Sequence, residues 1–403
     1  MMKLGIDRLL ENPELRKPLW GRRIALLGHP ASVTSRGQHS LDALMDLSEL
    51  SIVAAFGPQH GMKGDKQDNM VETSDAVDPD YGIPVYSLYG EVRYPSQEML
   101  DSFDVLLVDL QDIGTRIYTY VTTLGYLIDA CSTSDKGLWV LDRPNPAGRP
   151  IEGSLLEPGW ESFVGAGPIL MRHGLTFGEL AKWFVSDRGS QLDLHLVAME
   201  GYRPSQPPGY GWPLGELAWI NPSPNASSLN MARCFPGTVL LEGTTLSEGR
   251  GTTTALELAG APDVDFERVL RRMLQSCPSW TQGALIRPCW FEPTFHKHAG
   301  RLCSGLQIHT DGSSYGHERF KPYRLISLLL KCLRLEYPDY PIWRHFHYEY
   351  EKDRLAIDLL SGGTFLREWV DDPEGQPGDL ERRLETDEEH WAETTAPLKI
   401  YAQ

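Results

Sequence analysis

The sequence lacks the features that mark several large classes of protein. No stretch approaches the roughly 20 consecutive apolar residues that a membrane-spanning helix needs. The six cysteines are scattered without a CxxC pair, and this spacing disfavours both a disulfide framework and a zinc knuckle. Basic charge is scarce, since 38 lysines and arginines face 55 acidic residues and the formal net charge is −17. We therefore expect no nucleic-acid partner and no membrane partner.

Targeting and cofactor motifs are missing as well. The opening segment MMKLGIDRLLENPEL has no apolar run of signal-peptide length, because Asp7 and Glu11 interrupt it, so we expect a cytoplasmic protein with reduced cysteines. No GxGxxG or GxxxxGKS/T motif follows a predicted strand, which disfavours nucleotide-dependent dehydrogenases and kinases. HExxH is absent, and His345 and His347 fall where exposure is the default. We expect no metal and no cofactor.

What is present is a pattern of apolar runs alternating with helical segments. At 403 residues the chain is long enough for two domains. A first strand that ends in a glycine turn is predicted in residues 21–30. Further strands are predicted at residues 52–56, 85–89, 104–110, 137–141 and 194–199, and helices at 40–47, 118–131 and 176–185. Thr176 and Glu179 have the spacing of a capping box. We predict an α/β fold: a Rossmann-like parallel sheet in residues 1–232 and a smaller α/β (α+β) domain in residues 233–403.

Three of the predicted strands end in polar, turn-forming clusters: GPQHG, DIGTR and DRPNP. These clusters carry Gln59, His60, Asp112, Arg116, Arg143 and Asn145. The carboxyl ends of parallel strands lie side by side, and ligands of open α/β sheets bind in the crevice beyond them. The sequence therefore predicts a ligand site at this edge, although GPQHG alone also fits an ordinary strand-to-helix loop.

The second half begins with an irregular segment. Residues 202–230 are rich in proline and glycine, and with Trp212 and Trp219 they fit a lid or a sugar platform. Residues 235–241 are predicted to form a strand that leads into EGTTLSEGRGTT, a tight loop presenting Glu248 and Arg250. A hairpin with a surface Glu–Arg pair is the alternative. The acidic residues 371–393 predict a solvated helix and linker.

Taken in order, these segments resemble the exo-β-N-acetylmuramidase family of peptidoglycan hydrolases, glycoside hydrolase family 171. The resemblance covers nearly the whole chain and rests on GIDRLL, FGPQHG, GIPVYSLYG, DVLLVDLQDIGTRIYTY, LDRPNP, MRHGLTFGELA, NPSPN and FPGTVLLEGTTLSEGRGTT. It implies a Rossmann-like domain, a smaller C-terminal domain, and an active site in the cleft between them. It also implies a carbohydrate or muropeptide ligand, with removal of terminal N-acetylmuramic acid during cell wall recycling.

One position departs from the family's pattern. The family's motif is Pro-Glu-His-Gly, and its glutamate is the leading candidate for the catalytic carboxylate, whereas this chain has Gln59. Glycoside hydrolysis ordinarily uses two carboxyl groups, and an amide cannot give a proton at neutral pH. Three interpretations stay open: an acid supplied by another residue, an altered mechanism such as assistance by the substrate's acetamido group, or a non-catalytic muropeptide-binding relative. The carboxyl groups available as an alternative acid are Glu248, Asp112, Asp65 and Glu152. The retained polar residues favour an active glycosidase.

We expect four residues to take part in catalysis: Gln59, His60, Glu248 and Asp112. Glu248 is the first choice of carboxylate, Gln59 is expected to contact the substrate's polar groups, and His60 is expected to position a water or the scissile oxygen. Arg250 fits the lactyl or peptide carboxylate of a muramyl ligand. The other expected substrate-binding residues are Asp65, Arg116, Tyr118, Arg143, Asn145, Glu152, Arg172, His173, Asn221, Ser223 and Asn225. An ion pair between Asp112 and Arg116 is the alternative for those two residues.

Overall fold

The structure is a computed structural model that describes residues 2–64, 66 and 70–401. Its strands are β1 (Arg23–Leu27), β2 (Ser51–Gly57), β3 (Ala76–Val77), β4 (Pro84–Ser87), β5 (Val105–Val108), β6 (Gly137–Leu141), β7 (Leu194–Val197), β8 (Leu258–Ala261), β9 (Leu285–Phe291) and β10 (Cys303–His309). Its α-helices are α1 (Gly5–Glu11), α2 (Pro13–Arg16), α3 (Ser40–Met45), α4 (Gln97–Asp101), α5 (Tyr120–Ser134), α6 (Phe177–Arg188), α7 (Leu229–Thr238), α8 (Phe266–Ser276), α9 (Pro322–Glu336), α10 (Ala356–Ser361), α11 (Phe365–Asp371) and α12 (Pro377–Thr395). Short 3-10 turns lie at Lys17–Leu19, Val239–Gly243, Pro278–Thr281 and Ala396–Leu398.

Within these residues, strands β1 to β7 form one large sheet in the order β3-β4-β2-β1-β5-β6-β7. All neighbours in it are parallel except β3 and β4. A second, antiparallel sheet has the order β8-β10-β9. The predicted α/β class, with a large parallel sheet followed by a smaller sheet, is confirmed. Because the chain winds in opposite directions on the two sides of β1, a crevice is expected beyond its carboxyl end.

Side chains of the parallel strands alternate between two apolar layers. Ile24 and Leu26 of β1 belong to a cluster that also contains residues of α1 and α3. Ala25 and Leu27 belong to a larger cluster with residues of α5 and α6. Burial on both faces explains why these strands read as continuous apolar runs in the sequence rather than as an alternating pattern.

The predicted capping box at the start of α6 is confirmed. The hydroxyl of Thr176 accepts a hydrogen bond from the backbone N–H of Glu179, and the Glu179 carboxylate accepts one from the backbone N–H of Thr176. The same carboxylate pairs with Arg149 at 2.5 Å. The helix start is thus fixed by both local and long-range contacts.

The strand predicted at residues 235–241 is wrong, because this segment is helical. It forms the end of α7 and the 3-10 turn that follows. The hydroxyl of Ser228 caps α7 by accepting from the backbone N–H of Met231. Met231, Phe235 and Val239 recur every four residues and therefore share one side of this helical segment. The boundary predicted after residue 232 falls within α7, so the division into residues 1–232 and 233–403 stays a prediction.

The helix predicted in the acidic residues 371–393 is present as α12, but it packs against the rest of the chain and is not a solvated segment. Helix α12 buries Leu380, Leu384 and Trp391 against the rest of the chain. The indole N–H of Trp391 donates to the backbone carbonyl of His173 at 2.9 Å, and the carboxylate of Asp387 accepts from the backbone N–H of Leu155 at 3.0 Å. An apolar stripe on an otherwise acidic helix explains both the composition and the packing.

No helix in residues 2–64, 66 and 70–401 is both long and apolar enough to cross a membrane. The longest, α12, has 19 residues, and its sequence PGDLERRLETDEEHWAETT is dense in charge. All six cysteines are free, and Cys131, Cys234, Cys303 and Cys332 are buried.

Candidate active site

A pocket with an empty volume of about 480 Å³ opens where the carboxyl-end loops of the large sheet meet residues of the second half. The loops that follow β2 and β5 form one side of it, and α7 and the segments after it form the other. The lining residues are Gln59, His60, Ile117, Tyr118, Thr119, Val164, Ser223, Asn225, Met231, Phe235, Val239, Glu242, Arg250, Leu256, Tyr348 and Glu349.

Gln59 joins the two sides of this pocket. Its amide oxygen accepts a hydrogen bond from the hydroxyl of Thr119 at 2.6 Å, and its Nε2 donates to Oε1 of Glu349 at 3.3 Å. The other oxygen of Glu349 accepts from the hydroxyl of Tyr89 at 2.8 Å. Gln59 and Glu349 are 6% and 5% exposed. A carboxyl group is therefore held directly against the amide that stands at the family's glutamate position.

The carboxyl of Glu349 has an unusual protonation equilibrium. Burial raises the pKa of Glu349 to about 7, although the hydrogen bonds from Tyr89 and Gln59 act in the opposite direction. The charge of Glu242 adds to the rise, and Arg93 opposes it. A carboxyl that is partly protonated at neutral pH suits a group that must give and regain a proton.

A tight turn presents Glu349 to the pocket. Tyr348 and Glu351 exchange two backbone hydrogen bonds, and the two residues between them, Glu349 and Tyr350, have φ of 45° and 72°. Positive φ at both central positions is characteristic of type I′ turns, which favour glycine and asparagine. His60, beside Gln59, also has a positive φ of 71°. Backbone strain of this kind concentrates at functional sites.

Glu242 is the second carboxylate in the lining. One of its oxygens accepts from Nη2 of Arg250 at 2.6 Å and the other from the hydroxyl of Tyr348 at 2.8 Å. Nε of Arg250 donates to Glu248 at 3.0 Å. Burial lowers the pKa of Arg250, but the carboxylates of Glu242 and Glu248 outweigh this effect and raise it, so the guanidinium stays charged. The pocket wall thus carries a fixed ion pair.

Glu248, the predicted catalytic carboxylate, is fully buried and is not among the lining residues. It pairs with Lys297 at 2.7 Å and with Arg250 at 3.0 Å. Burial acts to raise the pKa of Glu248, but Lys297, His296 and Arg250 together hold it well below its usual value. A carboxylate that stays ionised cannot supply a proton at neutral pH. The geometry therefore favours a positioning role for Glu248, behind Arg250.

Asp112 and His173 lie together but outside the lining. Oδ2 of Asp112 accepts from the backbone N–H of Gly114 at 2.7 Å and lies 3.3 Å from Nε2 of His173. Nδ1 of His173 accepts from the backbone N–H of Leu175 at 3.2 Å. The structure places this pair where it connects the loop after β5 to the segment before α6.

The predicted binding residues Arg116, Arg143, Asn145, Glu152 and Arg172 are likewise buried and make structural contacts. The guanidinium of Arg116 donates to three backbone carbonyls and not to Asp112. Arg143 pairs with a buried aspartate at 2.6 Å, and the carboxylate of Glu152 accepts two N–H groups at the start of α9. The side chains of Asn145 and Arg172 bond to backbone groups of neighbouring loops. These residues fix the loops around the pocket without lining it.

We expect Arg116→Met to lower stability without weakening substrate affinity. The substitution removes the side-chain donor of the buried carbonyls of Ile169 and Leu360, and each unsatisfied group costs about 1–3 kcal/mol. The third carbonyl, that of Ser154, still accepts from a backbone N–H. Urea unfolding and steady-state KM measure the two effects. Arg382→Met is the matched control, because that side chain is 74% exposed on α12. A raised KM with an unchanged unfolding free energy would show instead that Arg116 binds the substrate.

Six predicted residues line the pocket: Gln59, His60, Tyr118, Ser223, Asn225 and Arg250. Asn221 is exposed, and Asp65 lies outside the described residues. Four polar lining residues were not predicted: Thr119, Glu242, Tyr348 and Glu349. Glu242 opens the same motif as Glu248, where spacing cannot show which carboxylate faces a cavity. Glu349 lies 290 positions from Gln59, and no local pattern connects the two.

The site has the character of an acid–base centre in an α/β protein. Two carboxyl groups share one pocket, one ion-paired with an arginine and one with a raised pKa. Environments that separate two carboxyl groups in this way mark acid and base assignments in hydrolases. Among the residues that the structure describes, no group of three or more histidine, cysteine, aspartate or glutamate side chains could hold a metal ion.

Comparison with known proteins identifies the family. Residues 24–230 match the family described as exo-beta-N-acetylmuramidase NamZ, N-terminal, and residues 233–401 match its C-terminal counterpart. The chain is 38% identical over 339 residues to the peptidoglycan beta-N-acetylmuramidase NamZ of Bacillus subtilis (strain 168), which covers 84% of this chain and 78% of that protein. The chain belongs to the exo-β-N-acetylmuramidase NamZ family, and the resemblance seen in the sequence is confirmed.

Two solved structures share the fold. Both are DUF1343 family proteins of Bacteroides fragilis NCTC 9343, with TM-scores of 0.86 and 0.74 and sequence identities of 28% and 24%. Each comparison covers 100% of this chain and 99% of the other. The arrangement of the two sheets is therefore shared along the full length of these proteins.

Proposed function

We propose that this chain is a glycosidase that removes terminal N-acetylmuramic acid from peptidoglycan fragments. The observation that carries the proposal is the pocket itself, in which Glu242 and Glu349 supply the two carboxyl groups that glycoside hydrolysis requires. A Bacillus subtilis relative, 38% identical, is a peptidoglycan beta-N-acetylmuramidase. A non-catalytic binding protein is not favoured, because binding alone does not need a buried carboxyl with a pKa near neutrality.

The chemistry of the lining suits a muramyl ligand. Arg250 supplies a permanent positive charge for the lactyl carboxylate, which distinguishes muramic acid from glucosamine. Ser223, Asn225 and Gln59 supply hydroxyl and amide groups for the acetamido group and the ring hydroxyls. Tyr118 and Phe235, whose ring centroids lie 6.0 Å apart, supply aromatic surface.

We propose that Glu242 stabilises the positive charge that develops at the anomeric carbon. Its ion pair with Arg250 and its hydrogen bond from Tyr348 hold the carboxylate in place before substrate arrives. The transition state of glycoside hydrolysis resembles an oxocarbenium ion, so a fixed negative charge lowers its energy.

We also propose that the enzyme acts in the cytoplasm, on recycled muropeptides. All six cysteines are free and four are buried. Structural disulfides are typical of oxidising compartments, so six unpaired cysteines favour a reducing one.

The substrate is tested with para-nitrophenyl glycosides of β-N-acetylmuramic acid and β-N-acetylglucosamine. These two compounds differ in the lactyl ether, so a site that binds its carboxylate should prefer the muramyl compound by at least about 100-fold in kcat/KM. The primary amide of the lactyl carboxyl is the matched control, because it nearly keeps the size and removes the charge. Equal rates on the two glycosides, or a preference for the glucosaminide, would contradict the proposed substrate.

A further inference from the structure

We propose that Glu349 is the general acid of this enzyme and that Gln59 positions its carboxyl through one hydrogen bond. This inference rests on the proposed glycosidase function. It explains how the chain can keep its activity with an amide where its family has a glutamate.

The contacts of Glu349 are those of a positioned acid. Each of its oxygens accepts one side-chain hydrogen bond, Oε1 from Gln59 at 3.3 Å and Oε2 from Tyr89 at 2.8 Å. Gln59 is itself held by the hydroxyl of Thr119 at 2.6 Å. Glu349 makes no salt bridge within the part of the chain that the structure describes, in contrast to Glu242 and Glu248. It therefore lacks the paired cation that would keep a buried carboxyl ionised.

The turn that carries Glu349 is fastened to the first half of the chain. The hydroxyl of Tyr350 donates to Glu72 at 3.0 Å, and the guanidinium of Arg93 lies 3.4 Å from the centroid of the Tyr350 ring. Arg93 also pairs with Glu72 at 3.3 Å. The backbone N–H of Glu349 contacts Sδ of Met70 at 3.3 Å. These contacts hold two consecutive residues at positive φ, which places the carboxyl in the pocket.

The groups around Glu349 shift the pKa of its carboxyl in both directions. Burial and the negative charge of Glu242 favour the protonated form. The hydrogen bonds from Tyr89 and Gln59 and the charge of Arg93 favour the ionised form. Tyr348 and Tyr350 flank the residue in its own turn, and His60 and Arg250 share the pocket. Because burial prevails, a substantial part of the enzyme carries the proton at neutral pH.

Proton transfer from Glu349 accompanies cleavage of the glycosidic bond. Protonated Glu349 gives its proton to the glycosidic oxygen while the bond between that oxygen and the anomeric carbon breaks, and the aglycone leaves as an alcohol. A water molecule then adds its hydroxyl to the anomeric carbon, and its proton restores the Glu349 carboxyl. The products are free N-acetylmuramic acid and the shortened fragment.

The test compares two leaving groups in Glu349→Gln. In the muramic acid–glucosamine disaccharide the glucosamine unit leaves as a poorly acidic alcohol and needs the proton. In the dinitrophenyl muramide, 2,4-dinitrophenol leaves without it. We expect kcat/KM on the disaccharide to fall by about 10²–10⁴, the usual value of general acid catalysis, and on the dinitrophenyl muramide to fall by less than about tenfold. Equal losses on both substrates would overturn the assignment and leave a structural role.

The double variant Gln59→Glu with Glu349→Gln moves the carboxyl across this hydrogen bond to the strand end, and it tests whether the proton is delivered at this point of the pocket. We expect it to regain at least about tenfold of the disaccharide activity that Glu349→Gln loses. Wild-type kcat should fall as pH rises through about 7, because the ionised carboxyl has no proton to give. Tyr89→Phe removes a hydrogen bond that favours the ionised form of Glu349. The pKa of Glu349 should therefore rise, and the decrease in kcat should move to higher pH. If the same decrease in kcat with rising pH persists unchanged in Glu349→Gln, the proposal is overturned.

A titration that needs no substrate separates this inference from the proposed substrate. With 13C-labelled glutamate carboxyls, one signal should titrate near pH 7 in the wild type and be missing in Glu349→Gln. If muramyl compounds are not cleaved, the proposed substrate fails. The comparison of methyl and dinitrophenyl β-N-acetylglucosaminides in Glu349→Gln, together with this titration, then still tests Glu349. A Glu349 signal that titrates near the ordinary glutamate pKa of 4.5 would overturn the assignment.

Discussion

Glu242→Gln is expected to lower kcat/KM by about 10²–10³ on the disaccharide and on the dinitrophenyl muramide alike. The reason is that a carboxylate facing the anomeric carbon stabilises charge that develops whatever the leaving group is. This pattern differs from the one expected for Glu349→Gln, where the loss depends on the leaving group. Steady-state kinetics on the same two substrates therefore separate the two carboxyl groups.

Tyr348→Phe is the matched control for Glu242. It removes the 2.8 Å hydrogen bond to Glu242 and keeps the charge, so we expect a loss of about 1 kcal/mol, or roughly fivefold in rate. We expect Glu242→Gln to stay folded, because Arg250 keeps Glu248 as an ion-pair partner. Urea unfolding checks this. A loss confined to the disaccharide would instead make Glu242 a proton donor.

The sequence predicts the large sheet well because its signals are local. A strand buried on both faces is a continuous apolar run, and its carboxyl end is marked where glycine, proline and polar residues begin. The GPQHG cluster at the end of β2 therefore predicts Gln59 and His60 as site residues, and both line the pocket. The capping box at Thr176 is local in the same way.

What the sequence does not show is which charged residues face a cavity and which are buried behind it. Arg116, Glu152 and Glu248 are motif residues in polar clusters, and the structure buries all three in contacts with other parts of the chain. Burial decides these roles, and burial depends on packing between segments far apart in the chain. Residues 235–241 show the converse error, because an apolar run of that length fits a buried helix as well as a strand.

Glu349 shows why the amide at position 59 does not by itself imply a lost activity. A sequence motif covers one segment of the chain, whereas residues from several segments line the pocket. A carboxyl from a different segment can therefore take the place of one that the motif lacks. The turn at residues 348–351 supplies that carboxyl from the second half of the chain. A substitution in a catalytic motif therefore has to be judged against every residue within hydrogen-bonding distance of it.

The second large effect is expected from Glu248→Leu, which should destabilise the protein by about 3–5 kcal/mol. The carboxylate pairs with Lys297 and with Arg250, and all three side chains are buried. Its removal leaves Lys297 without a carboxylate partner at 8% side-chain exposure. The unfolding free energy in urea measures the loss.

The double variant Glu248→Leu with Lys297→Met removes the unpaired cation together with its partner. We expect it to recover a large part of the lost stability, because replacing a whole buried pair by apolar side chains is often nearly neutral. Activity of this double variant decides between the two roles for Glu248. If Glu248 only holds Arg250 in place, some turnover should persist with the wild-type pH profile. Complete loss of turnover in a stably folded double variant would show that Glu248 takes part in the reaction itself.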